Sequence, residues 1–220
     1  MSVIKLAIIG SGDLGQLIAH HARLTGKFQV VGFFDDFAEV GTLRGDVPVI
    51  SGTADVLDCF KNGVFDQLLV AIGYKHFDAR QSFYTRLNEE IPFATLIHPS
   101  AIVDPSCSIG AGSVVLSGCI LDMNVKIGQN VLLNTGAMVA HDSEVGDHSF
   151  LAPRCNIAGF VKIGQKNFVG IGANVIDNVR TVSDIHIGGG ALVHKSLDEV
   201  GLYVGVPARK IKKKNELRTI

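Results

Sequence analysis

A six-residue repeat in the second half of the chain restricts the possible folds more than any other feature of the sequence. Sixteen of the seventeen residues at every sixth position from Ile97 to Val193 are aliphatic, and Thr181 is the exception. The series is Ile97, Val103, Ile109, Val115, Leu121, Ile127, Leu133, Val139, Val145, Leu151, Ile157, Ile163, Val169, Val175, Thr181, Ile187 and Val193. Neither an α-helix nor an alternating β-strand has this period. It is typical of a solenoid in which short elements stack on one another.

Small and β-branched residues occupy a second position of the same repeat, four residues after the aliphatic one. They are Ala101, Cys107, Ser113, Cys119, Val125, Val131, Ala137, Ser143, Ser149, Cys155 and Val161. Glycine follows the aliphatic residue at positions 110, 128, 146 and 164, which are eighteen residues or three repeats apart. Three six-residue sides per turn describe a triangular prism, with the aliphatic residues on its axis and the small ones in its corners. The repeat therefore predicts a hexapeptide-repeat parallel β-helix, whose two ends need covering by other parts of the chain.

The first part of the chain has a different pattern, in which apolar runs alternate with helical ones. Strands are predicted at 3–10, 28–36 and 66–73, and helices at 14–26, 53–63 and 75–90. Continuously apolar strands are typical of a parallel sheet that is covered on both faces. We therefore predict two domains, a small Rossmann-like α/β half-domain at 1–96 and a β-helix with a C-terminal tail at 97–220.

Composition excludes several classes of function. The formal net charge of −1 argues against nucleic acid or an acidic membrane surface as the partner. No apolar run is long enough to span a membrane. The four cysteines form no CxxC pair and have no metal-ligand spacing, so we expect reduced thiols, a cytoplasmic protein and no metal. Cys107, Cys119 and Cys155 fall on corner positions, where burial is expected and nucleophilic catalysis is not.

A glycine-rich turn follows the first predicted strand. Gly10-Ser11-Gly12-Asp13-Leu14-Gly15 precedes a helix, where backbone N–H groups can approach a phosphate. Asp35 and Asp36 end the second predicted strand, from which carboxylates can bind ribose or base groups. A dinucleotide oxidoreductase and a turn without any ligand are two interpretations. A single mononucleotide site fits better, because only about 90 residues of α/β chain are present and no separate substrate domain follows.

A candidate general base lies in the repeat region. His141 comes two residues after the axial Val139 and should project from the prism. Imidazole suits a general base at neutral pH, and the adjacent Asp142 could orient it or stabilise its cation. His148, in the next repeat, is the alternative base, and a surface histidine without a function is the third interpretation.

Exposed glycines and basic residues near the C-terminus suit a coenzyme A ligand. The backbone of Gly188-Gly189-Gly190 can hydrogen-bond an extended pantetheine arm. Basic side chains can meet the phosphates of coenzyme A, and Arg209 is favoured over the solvated lysines around it. These lysines are Lys210, Lys212, Lys213 and Lys214.

The whole chain resembles the NeuD/PglD-type sugar O- or N-acyltransferases of bacterial surface-glycan biosynthesis. The shared segments are GSGDLG, FFDD, LLVAIG, IHPSAIVDPS, LLNTGAMVAHDSEVGDHSFLAP, VGIGANVI, GGGALV and GVPAR. The resemblance implies that the β-helix is left-handed. It also implies a homotrimer whose active sites lie in grooves between adjacent β-helices, with the nucleotide of the sugar donor in the N-terminal domain.

The resemblance also assigns roles to residues. His141 matches the catalytic base, Asp142 its acidic support and Asn134 an asparagine near the acceptor amine. The nucleotide-sugar positions are Gly10, Ser11, Gly12, Asp35, Asp36 and Gly73, and the acetyl-CoA positions are Gly159, Ile171 and Gly189. The chain departs from many members at Asp13-Leu14-Gly15, where they carry GHG, and at Phe150, where they carry a second histidine.

The expected activity is transfer of acetyl from acetyl-CoA to the amino group, at C4, of a nucleotide-linked deoxyamino sugar. The transfer would be direct, with His141 as the base and a backbone N–H such as that of Gly159 binding the oxyanion. Three alternatives stay open: O-acetylation of a sugar such as sialic acid, a non-catalytic β-helix that binds nucleotide or serves as a scaffold, and an NAD-binding oxidoreductase.

Overall fold

The computed structural model describes residues 3–212, and the chain divides between Pro99 and Ser100 into two compact units. The first unit is α/β and the second is a parallel β-helix, which confirms the predicted fold class.

The first unit contains a five-stranded sheet and three helices. The strands are β1 (Ile4–Ile9), β2 (Phe28–Phe34), β3 (Leu43–Arg44), β4 (Val47–Ser51) and β5 (Gln67–Val70). The helices are α1 (Asp13–Leu24), α2 (Val56–Lys61) and α3 (Phe77–Leu87), with short 3₁₀ turns at Thr53–Asp55 and Tyr74–His76. The sheet order is β3-β4-β2-β1-β5, and every pair is parallel except the β3–β4 hairpin. Leu6 to Ile9 are at most 1% exposed, so both faces of β1 are covered, as the apolar run predicts.

The sequence analysis does not predict β3 and β4. Pro48 interrupts the apolar run there, and a proline within a run argues against a strand in the middle of a sheet. The structure accommodates Pro48 because β4 has only the two-residue β3 on its outer side, so that it is nearly an edge strand.

The second unit is a prism with three sheets as faces, which are parallel except between the last two strands of the third sheet, and it follows the short strand β6 (Leu96–Ile97). The first face consists of β7 (Ile102–Val103), β10 (Ile120–Leu121), β13 (Met138–Val139), β16 (Asn156–Ile157), β19 (Asn174–Val175) and β21 (Leu192–Val193). The second consists of β8 (Ser108–Ile109), β11 (Lys126–Ile127), β14 (Glu144–Val145) and β17 (Lys162–Ile163). The third includes β9 (Val114–Val115), β12 (Leu132–Leu133), β15 (Phe150–Leu151), β18 (Phe168–Val169), β20 (Ile185–Ile187), β22 (Gly201–Val204) and β23 (Arg209–Lys212).

Residues eighteen positions apart face each other across neighbouring coils. Leu121 pairs with Val103 on one side and with Val139 on the other. The aliphatic series forms the core, with most members at most 3% exposed, and the corner residues Cys119 and Cys155 are fully buried. The prediction that Ile97 belongs to the axial core is wrong, because Ile97 is 37% exposed. Val103 and Ile109 are only partly buried, since they lie in the first coil and have a coil on one side only.

Every sixth residue from Gly112 to Gly190 has a left-handed backbone conformation. The positive φ angles fall on residues 112, 118, 124, 130, 136, 142, 148, 154, 160, 166, 172, 178, 184 and 190. These residues form the three corners of the prism. Glycine occupies five of the fourteen positions and Asn or Asp five more, which are the residue types that tolerate this conformation. The corner geometry is thus imposed even on Arg154, Phe160 and Lys166.

Candidate active site

The corner that follows β13 carries the candidate base. Val139 points to the axis, and His141 lies outside the core with 44% of its side chain exposed, as its place in the repeat predicts. Asp142 is the left-handed corner residue, with φ of 56°. His141 Nδ1 lies 3.1 Å from Asp142 Oδ2. If Nδ1 carries the proton, the lone pair of Nε2 remains available to accept one, which is the state that a general base requires.

The Asp142 carboxylate is held in its ionised form. Hydrogen bonds from the side-chain amide of Asn124 and then from His141 lower the pKa of Asp142 below its ordinary value. An ionised carboxylate at this position can stabilise an imidazolium on His141.

Gly159 lies directly against the imidazole of His141. A methyl group on Gly159 would come within 2.9 Å of both Cε1 and Nε2 of the ring. The backbone of Gly159 is buried, its N–H donates to Asp177 Oδ1 at 3.0 Å, and its carbonyl accepts from the N–H of Asn178 at 3.1 Å. The N–H that is expected to bind the oxyanion is therefore paired with the exposed side chain of Asp177 in this arrangement.

Phe160 forms the other neighbour of the imidazole. Its ring meets that of His141 edge to face, with centroids 5.1 Å apart and an interplanar angle of 87°. The N–H of Phe160 donates to the carbonyl of His141 at 3.2 Å. Phe160 remains 52% exposed although its backbone is left-handed, an uncommon combination for an aromatic residue.

Three residues of this corner are not predicted from the sequence: Asn124, Phe160 and Asp177. The eighteen-residue period of the coil contains the signal that would have found them. Asn124 and Phe160 lie one coil before and one coil after Asp142, and Asp177 lies one coil after Gly159.

Asn134 lies at a different corner of the same coil. The turns at Thr135-Gly136 and His141-Asp142 flank β13, so Asn134 and His141 occupy opposite edges of that face. The side-chain oxygen of Asn134 accepts from the N–H of Thr135 at 2.8 Å. No hydrogen bond within residues 3–212 joins Asn134 to His141, so a single chain does not bring these two predicted residues together.

Two predicted coenzyme A positions share the corner of Asn134. Ile171 and Gly189 lie two and three coils further along it, and the N–H of Gly190 donates to the carbonyl of Ile171 at 2.8 Å. Ile171 is 61% exposed and Gly189 is also exposed. Arg209 begins β23 and is exposed, while its guanidinium donates to the carbonyl of Ala208. Lys213 and Lys214 lie outside the described residues.

The alternative base, His148, is much less exposed than His141. His148 is 7% exposed, and its Nδ1 lies 3.0 Å from Nδ2 of Asn130. Phe150, at the family's second histidine position, is 5% exposed. Burial raises the pKa of the Cys119 thiol to about 11 and that of Cys155 to about 12, so neither is a nucleophile at neutral pH.

The glycine-rich turn of the first unit lies at the carboxyl ends of β1 and β5. β1 pairs with β2 on one side and β5 on the other, which makes this end of the sheet a topological switch point. Gly10 is left-handed, with φ of 97°, and α1 begins at Asp13. A Cβ on Gly15 would overlap the carbonyl oxygen of Gly10, so glycine lets α1 pack closely against the turn. This geometry suits a pyrophosphate at the start of α1.

Asp35 holds the glycine-rich turn in place. Its Oδ2 accepts from the N–H and the hydroxyl of Ser11 at 2.7 and 2.6 Å, and its Oδ1 accepts from the N–H of Phe37 at 2.9 Å. Burial acts to raise the pKa of Asp35, but these hydrogen bonds outweigh it and lower the pKa.

The other predicted nucleotide-binding residues follow β2 and β5. Asp36 is exposed and accepts from the N–H and hydroxyl of Thr53 at 2.7 and 2.6 Å. Gly73 is half-buried and precedes the 3₁₀ turn after β5. The carboxyl edge of the sheet therefore presents Gly10 to Gly12, Asp36 and Gly73. The oxygens of both Asp35 and Asp36 have partners within the chain, and Asp36 is the more exposed of the two.

The described part of the chain has neither a metal-binding cluster nor a membrane-spanning helix. Residues 3–212 contain no group of three or more His, Cys, Asp or Glu side chains that could hold a metal ion. Within the same residues, no helix is long and apolar enough to cross a membrane.

Comparison with protein families gives two matches. The PglD N-terminal domain family matches residues 5–87, and the bacterial transferase hexapeptide family (six repeats) matches residues 124–159. A search of curated protein sequences found no match.

Comparison with solved structures gives matches over nearly the whole chain. A histidine-to-alanine mutant of GDP-perosamine N-acetyltransferase from Caulobacter crescentus, in complex with CoA and GDP-perosamine, is 30% identical, with a TM-score of 0.87. The match covers 96% of this chain and 99% of that one. PerB from the same organism, with the same ligands, is 29% identical (96% and 98% covered, TM-score 0.85).

The acetyltransferase domain of PglB from Neisseria gonorrhoeae, in complex with acetyl coenzyme A, is also similar. It is 28% identical, with 96% of this chain and 100% of that one covered and a TM-score of 0.88. These matches agree with the order of segments in the sequence and with the two-unit fold. The chain therefore belongs to the PglD/NeuD-type family of acetyl-CoA-dependent sugar-nucleotide N-acetyltransferases.

Proposed function

We propose that the chain transfers the acetyl group of acetyl-CoA directly to the amino group, at C4, of a nucleotide-linked deoxyamino sugar, with His141 as the general base. The observation that carries the proposal is the exposed His141 imidazole, which contacts Asp142 through Nδ1 and packs against Gly159. The similar enzyme from Caulobacter crescentus supports it, since that protein is a GDP-perosamine N-acetyltransferase with CoA and GDP-perosamine bound.

In the proposed step the sugar amine attacks the thioester carbonyl carbon of acetyl-CoA. The N–C bond forms, and the C–S bond then breaks to release CoA as its thiolate. Nε2 of His141 accepts the proton that the amine loses and can return it to the thiolate. Asp142 stabilises the imidazolium between these two transfers. Holding amine and thioester together supplies a further large part of the rate.

The nucleotide is assigned to the first unit. The turn from Gly10 to Gly12 is the proposed pyrophosphate site, because it lies at the start of α1 and at the switch point of the sheet. The N–H of Gly10 donates to the carbonyl of Phe34 and that of Ser11 to Asp35, so the N–H of Gly12 and the first N–H groups of α1 are the proposed donors. Asp36 and Gly73 are proposed to contact the nucleoside. Asp35 is proposed to act mainly by holding Ser11, since its Oδ2 accepts from both the N–H and the hydroxyl of Ser11 and its side chain is less exposed than that of Asp36.

The acetyl-CoA groove is proposed to form between two copies of the chain in a homotrimer. Asn134, Ile171 and Gly189 lie at one corner of the prism and His141 at another, so no groove formed by residues 3–212 of one chain is lined by all of them. Two prisms that meet corner to corner would bring the two sets together, and Arg209 would meet the phosphates of CoA.

The direct test is release of free thiol from acetyl-CoA in the presence of UDP-, GDP- and dTDP-linked 4-amino sugars. One of them should support turnover, and His141→Ala should reduce kcat by ~100- to 10,000-fold, the usual contribution of a general base. The exposed His194→Ala on the same β-helix is the control and should keep the wild-type rate.

Two results would contradict the proposal. A wild-type rate in His141→Ala would remove this residue from the mechanism. Turnover with hydroxyl acceptors, such as sialic acid, and with none of the amino sugars would reassign the chain to O-acetylation.

A further inference from the structure

Asp142 has a second side-chain partner besides His141. Nδ2 of Asn124 donates to Oδ1 of Asp142 at 3.0 Å, while Oδ2 of Asp142 lies 3.1 Å from Nδ1 of His141. Each carboxylate oxygen is therefore bound to a different side chain. This arrangement fixes the rotation of the carboxylate and with it the direction in which Oδ2 faces the imidazole.

Asn124 is itself held by the preceding coil. Its N–H donates to the hydroxyl oxygen of Ser106 at 2.8 Å, and that hydroxyl donates to Asp104 Oδ1 at 2.6 Å. Ser106, Asn124 and Asp142 occupy the same corner in three successive coils, eighteen residues apart. A chain of hydrogen bonds thus runs along one edge of the prism and ends at His141.

We propose that Asn124 is a positioning residue for acetyl transfer, whose amide holds Asp142 in the orientation that keeps the proton of His141 on Nδ1. Nε2 is then left free to accept the proton of the acceptor amine. The inference rests on the proposed role of His141 as the base. Asn124 acts through Asp142 and does not itself contact a reacting atom.

Backbone preference alone does not account for the contact. Asparagine is favoured at left-handed positions, and Asn130 and Asn178 share that conformation with Asn124. Asn178 lies at the same corner as Asn124, but within the described residues its amide makes no hydrogen bond to Asp142 or His141. Asn124 differs because its amide is aimed at the carboxylate, where it is the largest cause of the lowered pKa of Asp142.

Two substitutions separate the effect of the Asn124 amide from the effect of its left-handed backbone. Asn124→Gly keeps a residue that accepts positive φ and removes the amide. Asn124→Asp also tolerates positive φ but replaces the donor by a carboxylate that repels Asp142. Asn178→Gly is the matched control, with the same chemical change at the same corner.

We expect Asn124→Gly to lower kcat by roughly 3- to 10-fold, the usual size of one lost hydrogen bond, with little change in the KM of either substrate. Asn124→Asp should lose more than Asn124→Gly, because it adds repulsion to the lost bond. Asn178→Gly should keep the wild-type kcat.

The second readout is the tautomer of His141, measured in long-range ¹H–¹⁵N NMR spectra and assigned by comparison with His141→Ala. The wild-type protein should carry the proton mainly on Nδ1, and both Asn124 variants should show an increased share on Nε2. A purely structural role of Asn124 would not move this ratio.

The outcomes distinguish the inference from the proposed function. Wild-type kcat and an unchanged tautomer ratio in both Asn124 variants, with His141→Ala impaired, would overturn the role of Asn124 and leave the base in place. A wild-type rate in His141→Ala would remove the base, and with it any role of Asn124 in catalysis.

Discussion

His141 and Gly159 show at the scale of single residues how the coil shapes the candidate site. They lie one coil apart at the same corner, and the imidazole packs where a side chain on residue 159 would otherwise be. The backbone N–H and carbonyl of Gly159 are paired within the chain, and its missing side chain leaves the space that the imidazole occupies. The packing against Gly159 and the contact with Asp142 together restrict the orientation of the imidazole ring.

Gly159→Ala should therefore displace the imidazole without unfolding the coil. The new methyl group would lie within 2.9 Å of the ring, and the half-exposed His141 side chain is free to move away. A misplacement of about 1 Å can cost roughly 100-fold, so we expect a loss of kcat of that order.

A double-mutant cycle tests the cause of this loss. Adding Gly159→Ala to His141→Ala should reduce kcat no further, because the two changes act on the same group. An additive loss would mean that Gly159 contributes independently of His141. Circular dichroism and the thermal midpoint check that the fold is retained.

A buried histidine of helix α1 makes the stability of the first unit depend on pH. His21, in its last turn, is 8% exposed, and its ring meets those of His98 and His20 at centroid distances of 4.9 and 5.5 Å. Burial, and then the charges of His98 and His20, lower the pKa of His21. The folded protein therefore keeps His21 neutral at a pH where the unfolded chain binds a proton.

The free energy of unfolding should consequently fall as the pH drops below about 6.5, the ordinary pKa of histidine, because the unfolded chain then binds more protons. His21→Gln should lose less stability than the wild type between pH 7.5 and 5.5, measured as the shift in thermal midpoint. The exposed His194→Gln should keep the wild-type shift. An identical shift in wild type and His21→Gln would contradict the prediction.

Most strands of the β-helix have only two residues, and in β11 these two have opposite roles. In β11, Ile127 points to the axis and is 3% exposed, whereas Lys126 faces outward beside Glu144. Ile127→Ala should lower the free energy of unfolding by about 2–5 kcal/mol, through lost burial and the cavity that remains. Lys126→Ala should cost less than about 1 kcal/mol, since an exposed ion pair adds little. Chemical denaturation of the two variants compares them, and equal losses would contradict the division between axis and surface.

At the scale of the whole molecule, the distribution of site residues over two corners predicts complementation between chains. If each groove takes His141 from one copy and Asn134 from the next, a mixture of His141→Ala and Asn134→Ala chains contains intact grooves. Random assembly in equal amounts makes about a quarter of the grooves intact, because each of the two walls is intact in half of the copies.

The measurement is turnover after the two impaired variants are co-expressed or mixed under exchange. About a quarter of the wild-type rate should return, well above the rate of either variant alone. No recovery after confirmed mixing would place the complete site within one chain. A monomer by light scattering would contradict the shared groove directly.

The sequence by itself determined the β-helix, because its six-residue period persists from Val103 to Val193 and each aliphatic residue must reach the axis. It also predicted the first-unit helices, three of its strands and the exposure of His141, since each follows from local periodicity. The strand β4 is not predicted, because Pro48 interrupts its apolar run. Its place next to β2 depends on pairing with a strand distant in sequence.

The tertiary structure alone decided which side chains meet. Asn124 and Phe160 are far from His141 along the chain, and Asp177 is far from Gly159. They become neighbours only because the coil repeats every eighteen residues. It also decided that Gly159 and Asp35 use their polar groups within the chain, and that Asn134 and His141 occupy different corners. Periodicity fixes the direction of a side chain, whereas its partners depend on how successive coils and strands are stacked.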